Sequence, residues 1–189
     1  MPKTSGVNRA DIAELAFVAN DLRYEGSFVF LLPDALTDAV RRARDELALQ
    51  DGFPAQPVPH MTLQFLGVCT GYELRRSHDH LATHVPQPPA VRFTGLSSFG
   101  QDGDVRNVHI AVEPSDQIDA ARALVREHYL ELPWARAALR DEWPFRPHVS
   151  VLDGVALREV PQLPADLVPV ELVTLGRATI LLRQIDGLR

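Results

Sequence analysis

The chain has 189 residues, 46% hydrophobic and 23% charged, which is typical of a soluble globular protein and excludes an intrinsically disordered one. Its formal net charge of −6 argues against binding along extended nucleic acid, because a protein that grips the phosphate backbone needs a cationic surface. No apolar run approaches the roughly 18 residues of a membrane span, so we expect no association with a membrane. The single cysteine fits a reducing cytoplasm. We also expect a monomer.

The first part of the chain predicts a helix, a strand and a second helix. Residues 9–22 carry apolar side chains at helical spacing. The β-forming run Ser27–Leu32 ends at a proline, and residues 34–50 again have helical spacing. We therefore expect residues 1–26 to be an N-terminal helical extension and residues 27–189 to form one domain.

The middle of the chain alternates strands and helices, separated by segments rich in proline and glycine. Two apolar runs flank the turn-forming sequence QDGD, a pattern that predicts a β-hairpin. Asp116 is the expected N-cap of the helix after the hairpin. The predicted elements are a strand at 60–66 closed by Gly67, a helix at 72–84, hairpin strands at 91–99 and 105–112, and a helix from 116 to about 130.

The last part of the chain predicts three strands. His148–Leu152 follows a loop that contains two prolines, and the apolar runs Val170–Leu175 and Ala178–Leu182 follow a connector broken by prolines. The order of elements lacks the regular βαβ alternation of a doubly wound sheet, and the hairpin favours antiparallel pairing. We therefore predict an α+β fold.

One short pattern occurs twice, as PHMTL at 59–63 and as PHVSV at 147–151, 88 positions later. Because side chains alternate along a strand, each copy places its histidine and its hydroxyl on one face and its apolar residues in the core. Two core-edge strands that contain histidine by chance are the alternative. The candidate site residues are His60, Thr62, His148 and Ser150.

The segment HMTLQFLG at 60–67 resembles the first signature of the 2H phosphoesterases, the family of bacterial 2′-5′ RNA ligases and RNA 2′,3′-cyclic phosphodiesterases, and HVS at 148–150 resembles the second. The resemblance covers most of the chain from about Ser27 onward. It implies two lobes of antiparallel sheet with flanking helices, related by a pseudo-twofold axis, with both signatures in the cleft between them. The chain has Ser150 where the family more often has threonine, and Leu-Asp-Gly at 152–154 where the family often has an arginine.

Two histidines suit the opening of a cyclic phosphodiester, which needs a base to activate water and an acid to protonate the departing oxygen. A free imidazole has a pKa of about 6.5, so one ring can be neutral and the other protonated near neutral pH. Thr62 and Ser150 can donate hydrogen bonds to phosphate oxygens, and Arg146 can clamp the phosphate. The resemblance implies that His60 protonates the leaving group and His148 activates water, and this scheme needs no metal or other cofactor.

We therefore predict a metal-independent cyclic phosphodiesterase that acts on a nucleotide or RNA end with a 2′,3′-cyclic phosphate, and the acidic charge favours the smaller substrates. A nucleotide-binding module with little turnover and a 2′-5′ RNA ligase are alternatives for the same cleft. A metal-dependent hydrolase built on His78, His80 and His84 is a further alternative. Because no partner motif accompanies these histidines, a polar helix surface is the favoured interpretation.

Other residues have two interpretations. Gln64 shares the face of His60 if the alternation continues, which would suit a role in specificity. His109 lies in an apolar strand and is expected at the edge of the core, and Cys69 is expected to be a small core residue in a reducing compartment. The aromatic residues for which core packing is favoured over stacking on a base are Phe30, Phe65 and Phe145.

Overall fold

In the computed structural model, the described residues are 19–48, 53–54, 58–99, 105–135, 144–157 and 172–184. These residues combine antiparallel sheet with three helices, which confirms the predicted α+β class. Their elements are β1 (Arg23–Leu31), α1 (Asp34–Ala48), β2 (Phe53–Pro54), β3 (His60–Thr70), α2 (Gly71–Leu81), β4 (Ala90–Val91), β5 (Phe93–Ser97), β6 (Val105–Val112), α3 (Asp116–Leu130), β7 (His148–Leu157), β8 (Val173–Thr174) and β9 (Ala178–Gln184).

The main sheet has the strand order β5-β6-β7-β3-β1-β9, and the short strand β2 pairs with β7. The central pair, β7 and β3, consists of the two strands that begin with the repeated Pro-His pattern. This pair shares a single register position, Met61 opposite Val149, whereas β1 and β3 pair along the whole length of β1. The halves β5-β6-β7 and β3-β1-β9 therefore meet at one short contact between the two histidine-bearing strands.

The three helices are divided between the two halves of the sheet. Helix α1 packs on β7 and β2, whereas α2 and α3 contact each other and both pack on β3. Since α1 directly follows β1 in sequence, the chain crosses from one half to the other between these elements. None of the helices in the described ranges is long and apolar enough to cross a membrane.

Strand β3 is longer than predicted because Gly67 does not end it. Gly67 has a positive φ of 81° and pairs with Gly26 next to a register shift, so it accommodates a β-bulge inside the strand. Strand β1 also begins earlier, at Arg23. Helix α2 ends at Leu81, before the predicted end, and residues 82–84 form a turn.

The N-cap of α3 is Ser115 and not Asp116, as the sequence suggested. The Ser115 backbone is extended and its hydroxyl accepts a hydrogen bond from the backbone N–H of Ile118 at 3.4 Å. Asp116 instead lies in the first turn, where its charge complements the helix dipole. The predicted hairpin is confirmed by the antiparallel pairing of β5 with β6, although the sequence QDGD lies outside the described residues.

The predicted N-terminal helix falls mostly outside the described residues. Residues 19–22 are described, and they form a turn and bend rather than a helix, so the predicted end of this helix is wrong. The predicted strand at Val170–Leu175 is partly described and contains the two residues of β8, which pair with β4.

The core contains the apolar residues that alternation predicts. Met61, Leu63, Val149 and Val151 are all buried, and so is Cys69. Burial, with a smaller contribution from the carboxylate of Glu73, raises the pKa of the Cys69 thiol to about 11. The thiol is therefore unreactive at neutral pH, as expected of a core residue.

Candidate active site

The two histidines of the repeated pattern begin adjacent strands. Because Met61 lies opposite Val149, the antiparallel register places His60 beside Ser150 and Thr62 beside His148. All four of these side chains are half-buried, while Met61 and Val149 are fully buried on the opposite face. The structure thus brings the two predicted histidines and the two predicted hydroxyl residues together on one face of the sheet.

Both histidine rings are held in the same way. Nδ1 of His60 lies 2.7 Å from the carbonyl oxygen of Val58, and Nδ1 of His148 lies 2.7 Å from the carbonyl oxygen of Arg146. A carbonyl oxygen only accepts hydrogen bonds, so each Nδ1 carries a proton and donates it. Each neutral ring therefore has its lone pair on Nε2, on the other side of the imidazole.

The proline before each histidine explains this shared geometry. Proline fixes its own φ at about −65° and restricts the preceding residue to extended conformations. The carbonyl two residues before the histidine is therefore held in place beneath the ring. Pro147 is fixed further, because its carbonyl accepts a hydrogen bond from the N–H of Val112 on β6 at 3.0 Å.

A cleft of about 580 Å³ opens beside these residues, a volume typical of small-ligand sites. Three of the predicted site residues, Thr62, His148 and Arg146, line it. His60 and Ser150 are not among the lining residues and lie next to it on the same face of the sheet. The lining residues are Thr62, Leu63, Gln64, Phe65, Phe99, Arg122, Pro144, Phe145, Arg146 and His148.

A β-bulge in β3 changes the position of Gln64. Phe28 pairs with Gln64 but Val29 pairs with Thr62, so one extra residue of β3 lies between the two pairs and the alternation breaks. Gln64 is consequently only 6% exposed, and Phe65 takes the half-exposed position. The simple alternation that placed Gln64 on the His60 face is therefore wrong, although Gln64 does line the cleft.

Three phenylalanines line the cleft. Phe30 is fully buried in the core as expected, and Phe145 packs against the core although it also lines the cleft. Phe65 is half-buried and lines the cleft. Phe99, which the sequence did not single out, also lines the cleft. Arg122 of α3 places its guanidinium 4.4 Å from the centre of the Phe145 ring, a cation–π contact.

A third histidine, His109, lies against this site. It is 4% exposed and occupies the position on β6 opposite Ser150. Its ring centre is 5.0 Å from that of His148, and Phe99 stacks on it at 4.2 Å. The sequence predicted only a core-edge histidine, because nothing in the pattern of β6 indicates which strand lies beside it.

Its surroundings keep His109 neutral. Burial, together with the electrostatic effects of His148 and Arg146, lowers the pKa of His109 to about 4. The side-chain oxygen of Asn107 lies 3.2 Å from its Nδ1 and also accepts a hydrogen bond from the backbone N–H of Phe99. His109 is therefore an uncharged neighbour of His148 near neutral pH.

Arg44 connects helix α1 to the motif strand β7. It is 5% exposed, and its Nε and Nη2 donate to the carbonyl oxygens of Val151 at 3.1 Å and Ser150 at 2.9 Å. These carbonyls follow the single register position that β7 shares with β3. The guanidinium thus holds β7 where the neighbouring strand diverges, a role that the sequence alone did not reveal.

The predicted family is confirmed by comparison with known proteins. A family model described as the 2′-5′ RNA ligase superfamily matches residues 32–186. The chain belongs to the 2′-5′ RNA ligase superfamily. This membership supports a phosphoesterase or ligase-like enzyme that acts on phosphodiesters. None of the curated proteins matches the chain.

Solved structures of related proteins share the fold. A structure of TT0787 of Thermus thermophilus is 22% identical, with a TM-score of 0.57 over 84% of this chain and 86% of its own. E. coli LigT complexed with NADP+ is 19% identical, with a TM-score of 0.61 over 88% of this chain and 92% of its own. LigT complexed with 3′-AMP is also 19% identical, with a TM-score of 0.59 over 84% and 86% of the two chains.

Proposed function

We propose that this superfamily member is a metal-independent cyclic phosphodiesterase in which His60 and His148 exchange protons with the substrate. The observation that carries the proposal is the matched orientation of the two rings on adjacent strands. Each Nδ1 donates to a backbone carbonyl at 2.7 Å, so Nε2 is the nitrogen of each ring that accepts or donates a proton in the reaction. A site that must both remove and supply a proton needs two such groups.

The reaction follows from these two nitrogens. Nε2 of neutral His148 removes a proton from water, whose oxygen attacks phosphorus and forms a new P–O bond. The P–O bond to one ribose oxygen of the cyclic phosphate breaks, and protonated His60 gives its Nε2 proton to that oxygen. The product is a phosphomonoester beside a free hydroxyl. This division of roles is the one that the family resemblance implies, and proton exchange with solvent resets both rings.

The neighbouring polar groups suit the phosphate. Thr62 beside His148 and Ser150 beside His60 can each donate a hydrogen bond to a non-bridging oxygen as its charge grows. Arg146 is exposed at the edge of the cleft, where a guanidinium can bind phosphate through two hydrogen bonds. Together with Arg122, it supplies the cationic charge that the sequence Leu-Asp-Gly at 152–154 does not.

The cleft supports a nucleotide as the substrate. Phe65, Phe99 and Phe145 offer flat apolar surfaces to a base, and the volume of about 580 Å³ suits a small ligand. LigT, which shares the fold, has been crystallised with NADP+, ATP and 3′-AMP. The net charge of −6 favours a small nucleotide or an RNA end over extended RNA. A cytoplasmic location and a monomeric state stay predictions.

The test is turnover in excess EDTA of 2′,3′-cyclic AMP and of a short RNA that ends in a 2′,3′-cyclic phosphate, with products separated by chromatography. We expect hydrolysis to continue after chelation. His60→Ala and His148→Ala should each lower kcat/KM by about 10² to 10⁴, the usual contribution of a general acid or base. His78→Gln, which changes a histidine on the surface of α2, is the matched control and should retain full activity.

Two results would contradict the proposal. Loss of activity in EDTA, while far-UV circular dichroism and Tm show that the protein is as stably folded as before, would indicate a metal-dependent reaction. Unchanged activity in both histidine variants would exclude acid–base roles for them. Addition of an RNA with a 5′-hydroxyl distinguishes ligation, because a joined product would then appear instead of a phosphomonoester. Tight binding of nucleotides with no turnover would indicate the binding-module alternative.

A further inference from the structure

Three histidines meet where α2 and α3 end. His80 lies in the last turn of α2, His84 lies in the turn that follows it, and His128 lies in the last turn of α3. One ring nitrogen from each lies within 4.8 Å of the other two. The sequence had suggested His78 as the third member, but His78 lies beside Asp79 at 3.5 Å, and the third imidazole comes from the other helix.

A carboxylate stands next to this cluster. Glu131, the C-cap of α3, places one oxygen 3.0 Å from Nε2 of His80 and the other 3.5 Å from Nδ1 of His128. Ligands bound tetrahedrally at about 2.0 to 2.1 Å from a zinc ion lie about 3.4 Å from one another. Both separations are close to this value, and they are made by the two different oxygens of the one carboxylate.

The hydrogen bonds of the rings differ. Nε2 of His80 lies 3.1 Å from the carbonyl oxygen of His128 and donates to it, so an ion bound at this nitrogen replaces that hydrogen bond. Nδ1 of His84 can donate to the carbonyl oxygen of His80 at 3.1 Å and to the hydroxyl oxygen of Thr83 at 2.9 Å, which leaves the lone pair on Nε2. Metal-binding histidines usually donate their second nitrogen to an acceptor of this kind. Nδ1 of His128 is buried and makes no hydrogen bond with the described residues. It is a buried ring nitrogen that faces Oε1 of Glu131 at 3.5 Å.

Two of the three rings are in direct contact. His84 and His128 are stacked with their centres 3.5 Å apart and their planes at 21°. Because the lone pair of an imidazole nitrogen lies in the plane of its ring, one of these two rings turns when both bind the same ion.

We propose that His80, His84 and His128, with Glu131 as the fourth ligand, bind a zinc ion. Imidazole nitrogens and a carboxylate are ligands that zinc prefers, and four protein ligands make a closed, structural site. The ion links the end of α2 to the end of α3. Because α3 also carries Arg122, the ion holds the helix that supplies a cation to the cleft. The proposal does not depend on the proposed reaction, which uses no metal.

The experiment titrates metal-free, untagged full-length protein with Co²⁺, which takes the place of zinc and absorbs visible light when it is bound tetrahedrally. We expect one Co²⁺ per chain, with the intense visible bands of a tetrahedral site, and displacement by Zn²⁺. Free Zn²⁺ at about 100 times its Kd should raise Tm by about 5 to 10 °C.

Variants distinguish metal binding at this cluster from metal binding by the histidines of the cleft. His84→Gln and His128→Gln should weaken Co²⁺ binding by well over tenfold, while far-UV circular dichroism shows that they are folded. His78→Gln is the matched control and should bind as the unchanged protein does. The double variant His60→Ala, His148→Ala should also bind normally. The proposal is overturned if no saturable binding occurs, or if the double variant loses binding while His84→Gln retains it.

Discussion

His109 contacts His148 edge to face and is buried on its other sides, with Phe99 stacked on it. A ring in this position restricts the rotation of His148 without adding a charge beside it. The absence of a charge on His109 is important because His148 changes its protonation state in the proposed reaction. A second cation at a centre-to-centre distance of 5.0 Å would oppose protonation of His148.

The neutral state of His109 has a consequence for stability. The unfolded chain binds a proton at this histidine below a pH of about 6.5, whereas the folded chain does so only near its pKa of about 4. Acid therefore stabilises the unfolded state. The contribution of His109 to stability is present above a pH of about 6.5 and is lost as the pH falls from there through about 4.

We expect His109 alone to lower the free energy of unfolding by about 2 kcal/mol between neutral pH and a pH of about 5. Urea unfolding of the unchanged protein and of His109→Gln at both pH values measures this contribution of His109 to the free energy of unfolding. Every other histidine is common to the two chains, so the difference in their pH dependence belongs to His109. The variant should show the smaller pH dependence. Equal pH dependence in both proteins would show that His109 can be protonated in the folded state.

Among the elements, α1 and β7 are linked by one buried cation. Arg44 donates to two backbone carbonyls of β7, and those carbonyls belong to the residues at and after the second hydroxyl of the repeat. A buried carbonyl without a donor is costly, and a charged donor makes a stronger hydrogen bond than a neutral one. Helix α1 therefore contributes to the position of Ser150, although none of its side chains that the structure describes lines the cleft.

We expect Arg44→Met to lower the free energy of unfolding by about 2 to 4 kcal/mol, because it leaves two carbonyls without these donors. The matched control is Arg41→Met on the same helix, where an exposed ion pair with Asp38 at 3.5 Å is lost. That change should cost less than about 1 kcal/mol. Denaturant unfolding measures the free energy of unfolding of both variants. Equal losses of stability in the two would show that the contacts of Arg44 with β7 contribute little.

The sequence correctly predicted whether most segments are helices or strands. It did not predict the β-bulges inside β3. Alternation correctly placed Met61 and Val149 in the core, because it depends only on the local backbone. The bulge between Thr62 and Gln64 depends on how β3 pairs with β1, so local alternation misplaced Gln64. From the sequence, Gly67 was expected to end the strand. In the sheet its positive φ instead allows a β-bulge, and the strand continues beyond it.

For the molecule as a whole, the repeated pattern was sufficient to place each histidine on one face with its own hydroxyl, because each copy carries its own alternation. The family resemblance, and not the pattern itself, implied that the two copies lie side by side. The other residues around the site come from distant positions. His109, Arg122 and Arg44 lie on three different elements, and each contacts residues that are distant in sequence. A single sequence contains no local signal for such contacts.

The interleaving of the two halves predicts cooperative unfolding. Helix α1 follows β1 of one half but packs on the other half, so neither half buries its apolar surface alone. We expect one unfolding transition, with coincident curves from tryptophan fluorescence and far-UV circular dichroism. Two separated transitions would show that the halves are independently stable.

The same crossing has a consequence during synthesis. About 100 residues separate the end of α1 from the start of β7, the strand that α1 covers. At a rate of about 5 to 20 residues per second, a ribosome needs about 5 to 20 s to make that length of chain. During this interval β7, the main partner of the apolar face of α1, is absent, and only the two residues of β2 are available. The nascent chain is therefore a candidate for chaperone binding until β7 emerges, and the native sheet forms late in translation or after release.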